Sequence, residues 1–191
     1  MEWWTYSLSD FLMFSPRVYA RLVAGYNEAA WPAQVPALLA GLALLSRIAK
    51  PRPALLLLAA ARAVAGWAFH WTRYAEIFLG APWLAGACGV QALGCAGAAW
   101  LPVREPSAAF RRSGVALMIA GLVLLPLATA WGAQDWRRAE VFGLMPDPTA
   151  LVTLGWLLST TALPTWTRLT LAVLPALSLL VGIAHRVALA Q

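Results

Sequence analysis

The sequence predicts an all-α fold: a polytopic membrane helix bundle of about six transmembrane helices, preceded by an N-terminal interfacial amphipathic helix. Composition is the first reason. Of 191 residues, 61% are hydrophobic and only 12% are charged, and the mean hydropathy is +0.69. A soluble domain carries about 45–50% apolar and about 25% charged residues, so too little polar surface remains to cover a globule in water. The second reason is segmentation. Six apolar runs, divided by proline and short charged clusters, approach the roughly 20 residues that a bilayer core demands. The third is where the charge falls. The net charge of +6 gathers in short loops, which is a topology signal and points to no nucleic-acid partner. One membrane domain over residues 1–191 fits the length.

Residues 1–30 read as the interfacial segment. Trp3, Trp4, Tyr6, Phe11 and Phe14 form an aromatic cluster suited to headgroup level. Ser15 caps a helix with Pro16 at its first position. Val18, Tyr19, Leu22, Val23 and Tyr26 make its apolar stripe, opposite Arg17, Arg21 and Glu28, as in a helix lying on a membrane. A helix packed across the outer end of the bundle fits the same pattern. Glu2 and Asp10 argue against a cleavable signal peptide, so the first span is expected to double as the targeting signal.

The spans are expected near 31–48, 53–72, 81–101, 114–132, 148–163 and 165–185. The fifth is the shortest, and a shallow hairpin of segments five and six hinged at Pro164 is its alternative. Pro126 and Pro175 fall inside segments four and six, where neighbours must satisfy the freed carbonyls. Gly86, Gly89, Gly94 and Gly97 make segment three the expected central packing helix. Cys88 and Cys95 share a face about 10 Å apart on that helix, too far for a disulfide, and read as packing residues. Basic residues are nearly balanced between the two sides. The short loops holding Arg47, Lys50 and Arg52, and Arg104, Arg111 and Arg112, are nevertheless densely basic. That places them in the cytoplasm and both termini outside.

Polar chemistry gathers in three clusters on the outer side: Tyr26–Gln34, Phe69–Glu76 and Asp135–Thr149. Arg62 lies mid-span, where an arginine costs at least about 2.5 kcal/mol and normally faces the protein interior to pair. Gln91 at similar depth and Glu28 are its candidate partners, and snorkelling toward the basic surface is the alternative. Gly66, His70 and Arg73 follow on the same helical face. His70 has a pKa suited to proton exchange. A metal site from His70, Glu76 and His185 has no supporting ligand spacing, and none is expected. Glu28 and Asp147 are placed at two helix entrances, where negative charge is favoured. Asp147 and Pro148 read as the cap and first turn of segment five. The binding or pathway residues are thus Glu28, Gln34, Arg62, His70, Arg73, Glu76, Gln91 and Asp147.

The stretches YNEAAWPAQ (Tyr26–Gln34) and FHWTRYAEIF (Phe69–Phe78), with the PDPT turn at Pro146, resemble a family of small bacterial membrane proteins known as domain of unknown function 6064. The resemblance implies a place in the bacterial cytoplasmic (inner) membrane and supplies no activity. No P-loop, GxSxG elbow or haem-attachment pattern occurs in the sequence, so no cofactor is expected. Three function classes stay open. The leading one is an outward-facing polar pocket for transport or permeation of a small solute or ion. An accessory subunit would dock its glycine-rich face on other membrane subunits or on a second copy. An intramembrane enzyme, the least favoured, would hold paired acids at the end of a cavity.

Overall fold

A computed structural model of the chain describes residues 14–45, 51–102, 111–160 and 162–190, and no strand occurs among them. The aromatic residues before Phe14, with Arg47, Lys50, Arg104 and Glu105, lie outside the described residues.

Helix α1 (Pro16–Ala30) begins as its cap residues dictate: the Ser15 hydroxyl accepts from the Val18 N–H, with Pro16 in the first turn. Phe14, Tyr19, Leu22 and Val23 pack with Tyr26 against Phe69, Tyr74 and Met145, while Arg17 and Arg21 are exposed. Helix α2 (Gln34–Leu45) follows at 88° to α1. Helix α3 (Pro51–Val64) continues without a break into a π-helical stretch, Ala65–Trp71. A short 3₁₀ turn over Tyr74–Glu76 then leads to α4 (Ala81–Ala98). Helix α5 (Arg111–Ile119) passes through a second π-helical stretch, Ala120–Leu124, into α6 (Leu125–Ala133). Helices α7 (Pro146–Ser159) and α8 (Thr165–Ala190) complete the bundle.

Helical stretches therefore occupy all six expected segments, but their capacity to cross a bilayer differs. Among the described residues, Pro51–Glu76, Arg112–Ala133 and Thr165–Ala188 are long and apolar enough to do so, and the bent α1–α2 pair is a fourth if taken as one span. Helix α7 has 14 residues, about 21 Å at 1.5 Å per residue, short of a core about 30 Å thick. Glycine, proline and Gln91 dilute the hydropathy of α4.

Of the four expected glycines, Gly94 makes a close contact, a Cβ there lying 2.9 Å from Leu171 Cδ2 of α8, while the other close approaches sit at glycines outside that set. A Cβ on Gly66 would lie 2.7 Å from the Cys88 Cβ, and one on Gly155 would lie 2.5 Å from the Gly114 carbonyl oxygen. By contrast, Gly86, Gly89 and Gly97 of α4 have nothing within 4 Å. Helix α4 packs against α3 and α8 through its opposite side, which buries Cys88, Gln91, Ala92, Cys95 and Ala98. A closely approached helix needs its small residues at the contact; here Cys88, Ala92, Gly94 and Cys95 serve there, while Gly86, Gly89 and Gly97 do not.

Proline inside α8 is accommodated as the chemistry requires. Pro175 has no N–H for the carbonyl of Leu171, and Gln91 Nε2 donates to that oxygen at 2.9 Å. The middle of the molecule is an apolar cluster in which Leu55, Leu58, Cys95, Ala98, Leu157 and Leu171 are buried together.

Candidate functional site

Each of the three polar clusters lies toward the same end of the bundle; hydrogen bonds tie the first to the third, and the Tyr26 ring packs edge-on to Phe69 of the second. The loop after α6 turns at Gln134, whose φ of 53° is left-handed, and Asp135 then caps the 3₁₀ turn Trp136–Arg138. Gln34 Nε2 donates to the Arg137 carbonyl at 2.8 Å and to the Asn27 carbonyl at 2.9 Å. Asn27 Nδ2 donates to the Arg138 carbonyl at 3.2 Å, and Arg138 pairs with Glu28. Gln34 and Glu28 therefore hold the corner between α1, α2 and this loop. Glu28 stands in the last turn of α1 rather than at a helix entrance, so Arg138 and not a helix dipole is its electrostatic partner. That pair is more than one-third exposed on both sides.

Below that end lies a cavity of about 210 Å³, bounded by α3 and its π-helical continuation, α4, the start of α7, α8, and Tyr19 of α1. Its lining follows helical spacing. Leu174, Leu177, Val181 and His185 recur at intervals of three and four on α8, the spacing that aligns side chains on one face, and extend over about 16 Å of axis. Leu84, Ala87, Cys88 and Gln91 supply the α4 wall, and Phe69, His70 and Arg62 the α3 wall. Asp147 and Tyr74 line it toward the polar end.

Arg62 stands at the deep end, about 16 Å along the helix from Pro51, and is only 1% exposed. It shares a hydrogen bond with the Cys88 sulfur. No acid pairs with it among the described residues, and its Nε and Nη2 have no hydrogen-bond partner. The expected partners are engaged elsewhere, Gln91 on the α8 carbonyl and Glu28 on Arg138. Snorkelling is not its solution either, because the side chain lines the cavity. His70, 5% exposed, leaves its Nδ1 without a partner in the same cavity.

Toward the polar end the charges are paired. Arg186 Nη2 lies 3.0 Å from Asp147 Oδ2 and 3.0 Å from Glu140 Oε2. Asp147 is in the first turn of α7 and not its cap, a position held by Met145, so its carboxylate is free to reach α8. Gly182 makes the room: a Cβ there would lie 2.5 Å from Asp147 Oδ1. Glu140, in the loop before α7, is 8% exposed; burial pushes its carboxyl up despite Arg186. The Tyr74 hydroxyl sits 3.3 Å from His185 Nε2.

Of the eight candidate residues, Arg62, His70, Gln91 and Asp147 line one cavity. Glu28 and Gln34 stabilise the corner beside it. Arg73 and Glu76 are exposed and do not line it. The π-helical stretch is the reason for Arg73. Thr72 N–H bonds the Trp67 carbonyl five residues back, and the wider turn carries Arg73 off the face shared by Arg62 and His70. Sequence reasoning missed Tyr74, Cys88 and Arg186 as site residues, and weighed His185 only in a metal site that it did not expect. Among the described residues no group of three His, Cys, Asp or Glu could hold a metal ion. The signal for α8 was present: Ser178, Gly182 and His185–Arg186 interrupt a leucine-rich helix at helical spacing.

The fold and site define an all-helical protein with membrane-length helices and a partly polar internal cavity. Residues 17–190 match the family model described as "Family of unknown function (DUF6064)", and the chain belongs to that family. No curated protein and no solved structure matches it.

Proposed function

We infer that the protein is a multi-pass membrane protein that binds a small solute in this cavity, as a carrier or receptor. One observation carries the reading: the cavity runs from the polar end to an arginine with unpaired donors in the middle of a membrane-length helix. Building such a residue costs stability, and packing alone gives no return for it. The apolar cluster beyond Arg62, around Leu58, Cys95 and Leu171, favours a blind pocket over an open pore.

In this reading α7 crosses the bilayer sheltered by α3, α5 and α8, and α4 crosses with one face against α3 and α8, which gives about six spans. Helix α1 lies at the outer interface, both termini are outside, and the membrane is the bacterial inner membrane. A docking role has its own support in the uncovered face of α4, where Trp83, Gly86, Val90, Leu93, Gly97 and Trp100 are exposed or unopposed. An intramembrane enzyme is less favoured, because the paired acids Asp147 and Glu140 are both occupied by Arg186.

Reconstituting the purified protein in liposomes and scanning ions and small acids for binding and flux tests the pocket. Saturable binding or flux that Arg62→Leu abolishes is the expected result. No response to any solute, with stable copurification of a larger membrane complex, would hand the function to the α4 face.

A further inference from the structure

The two orphaned donors of Arg62 identify the chemistry of the solute. Nε and Nη2 carry parallel N–H bonds on one edge of the guanidinium, the edge that meets a carboxylate with two hydrogen bonds at once. Both are the nitrogens left unpartnered, while the side chain as a whole is 1% exposed and lines the cavity. His70 adds an unpartnered Nδ1 in the same cavity. The walls beside these groups are apolar, with Phe69, Leu84, Leu174, Leu177 and Val181 among them. A cation has no partner at this depth, since Asp147, the acid lining the cavity, is bonded to Arg186. An inorganic anion would leave the walls unsolvated.

Resting on the pocket reading above, we propose that the cavity binds a small apolar monocarboxylate, its carboxylate on the Nε/Nη2 edge of Arg62 and its hydrocarbon body against α4 and α8. The carboxylate supplies the counter-charge that no acid among the described residues does. Size fixes the class further. An apolar cavity of about 150 Å³ accepts benzene, so about 210 Å³ suits a benzoate- or hexanoate-sized acid and excludes a diacyl lipid.

Thermal unfolding of the detergent-purified full-length protein with benzoate, benzamide and benzyl alcohol tests this. Benzoate should raise the Tm in a saturable way, with the two uncharged analogues binding roughly 10- to 100-fold more weakly, the range expected for a charge-assisted pair. Arg62→Leu should fold, with a higher Tm in the absence of ligand, and lose the benzoate response. Leu177→Trp, which fills the cavity and keeps the arginine, should lose the response to all three. Equal stabilisation by benzamide and benzoate, or a benzoate shift that survives Arg62→Leu, overturns the carboxylate assignment while sparing the pocket. No response to any of the three overturns both readings.

Discussion

Gln91 shows how a single polar side chain in an apolar helix is to be weighed. Its Nε2 donates to the carbonyl of Leu171, the oxygen that Pro175 deprives of its helical N–H. Gln91→Leu should strand that buried oxygen and cost about 1–3 kcal/mol. Adding Pro175→Ala restores an N–H at the right register, so the double variant should recover most of the loss. Thermal unfolding of the four proteins in detergent gives the coupling; strictly additive effects would refute the capping role. That proline needed such a partner was legible in the sequence, but its identity was not, because Gln91 and Leu171 meet only through packing. Arg62 was legible as a costly buried residue for a similar reason. Its lack of an acid partner among the described residues was not, since Glu28 is drawn to Arg138 by a loop whose path no local pattern specifies.

At the scale of elements, the helices follow from apolar periodicity and cap chemistry, and Ser15–Pro16 starts α1 where the residue types require. The two π-helical stretches, Ala65–Trp71 and Ala120–Leu124, leave no such mark. They arise from packing, and the first of them turns Arg73 away from the cavity. Glycine was misleading for the opposite reason: of the four expected contact glycines in α4, Gly94 meets a neighbour and Gly86, Gly89 and Gly97 meet none. Gly66→Ala sets a methyl 2.7 Å from the Cys88 Cβ, an overpacking that typically costs about 1–3 kcal/mol. Gly86→Ala meets nothing within 4 Å and should be neutral or slightly stabilising, because alanine favours the helix by up to about 1 kcal/mol. Comparing the two melting temperatures checks the geometry of the α3–α4 contact. Equal destabilisation by both would mean that the α4 glycines are covered by a partner in the purified protein.

Across the whole molecule, polar groups are distributed with a direction. One end holds Asp135, Arg137, Arg138, Glu140, Asp147 and Arg186, the arginine loop knit by contacts of α1 and α2 and the two later acids by Arg186 of α8. At the opposite end, Arg52 stacks on Trp100, its Cζ 3.6 Å from the ring centre. A cation held against an aromatic ring suits a membrane interface, and α3 begins and α4 ends there. Placing this end in the cytoplasm makes a concrete forecast for single introduced cysteines. The native Cys88 and Cys95 are buried, so the background from a membrane-impermeant maleimide should be low. In intact cells, cysteine at position 137 should be labelled from outside. Cysteine at position 112, exposed at the start of the α5–α6 span, should react only after the membrane is opened. The reverse pattern would invert the molecule and turn the cavity toward the cytoplasm. Labelling of both sites in intact cells would mean that the Arg112–Ala133 helix does not cross the bilayer, and the depth assigned to Arg62 in the neighbouring span would fall with it.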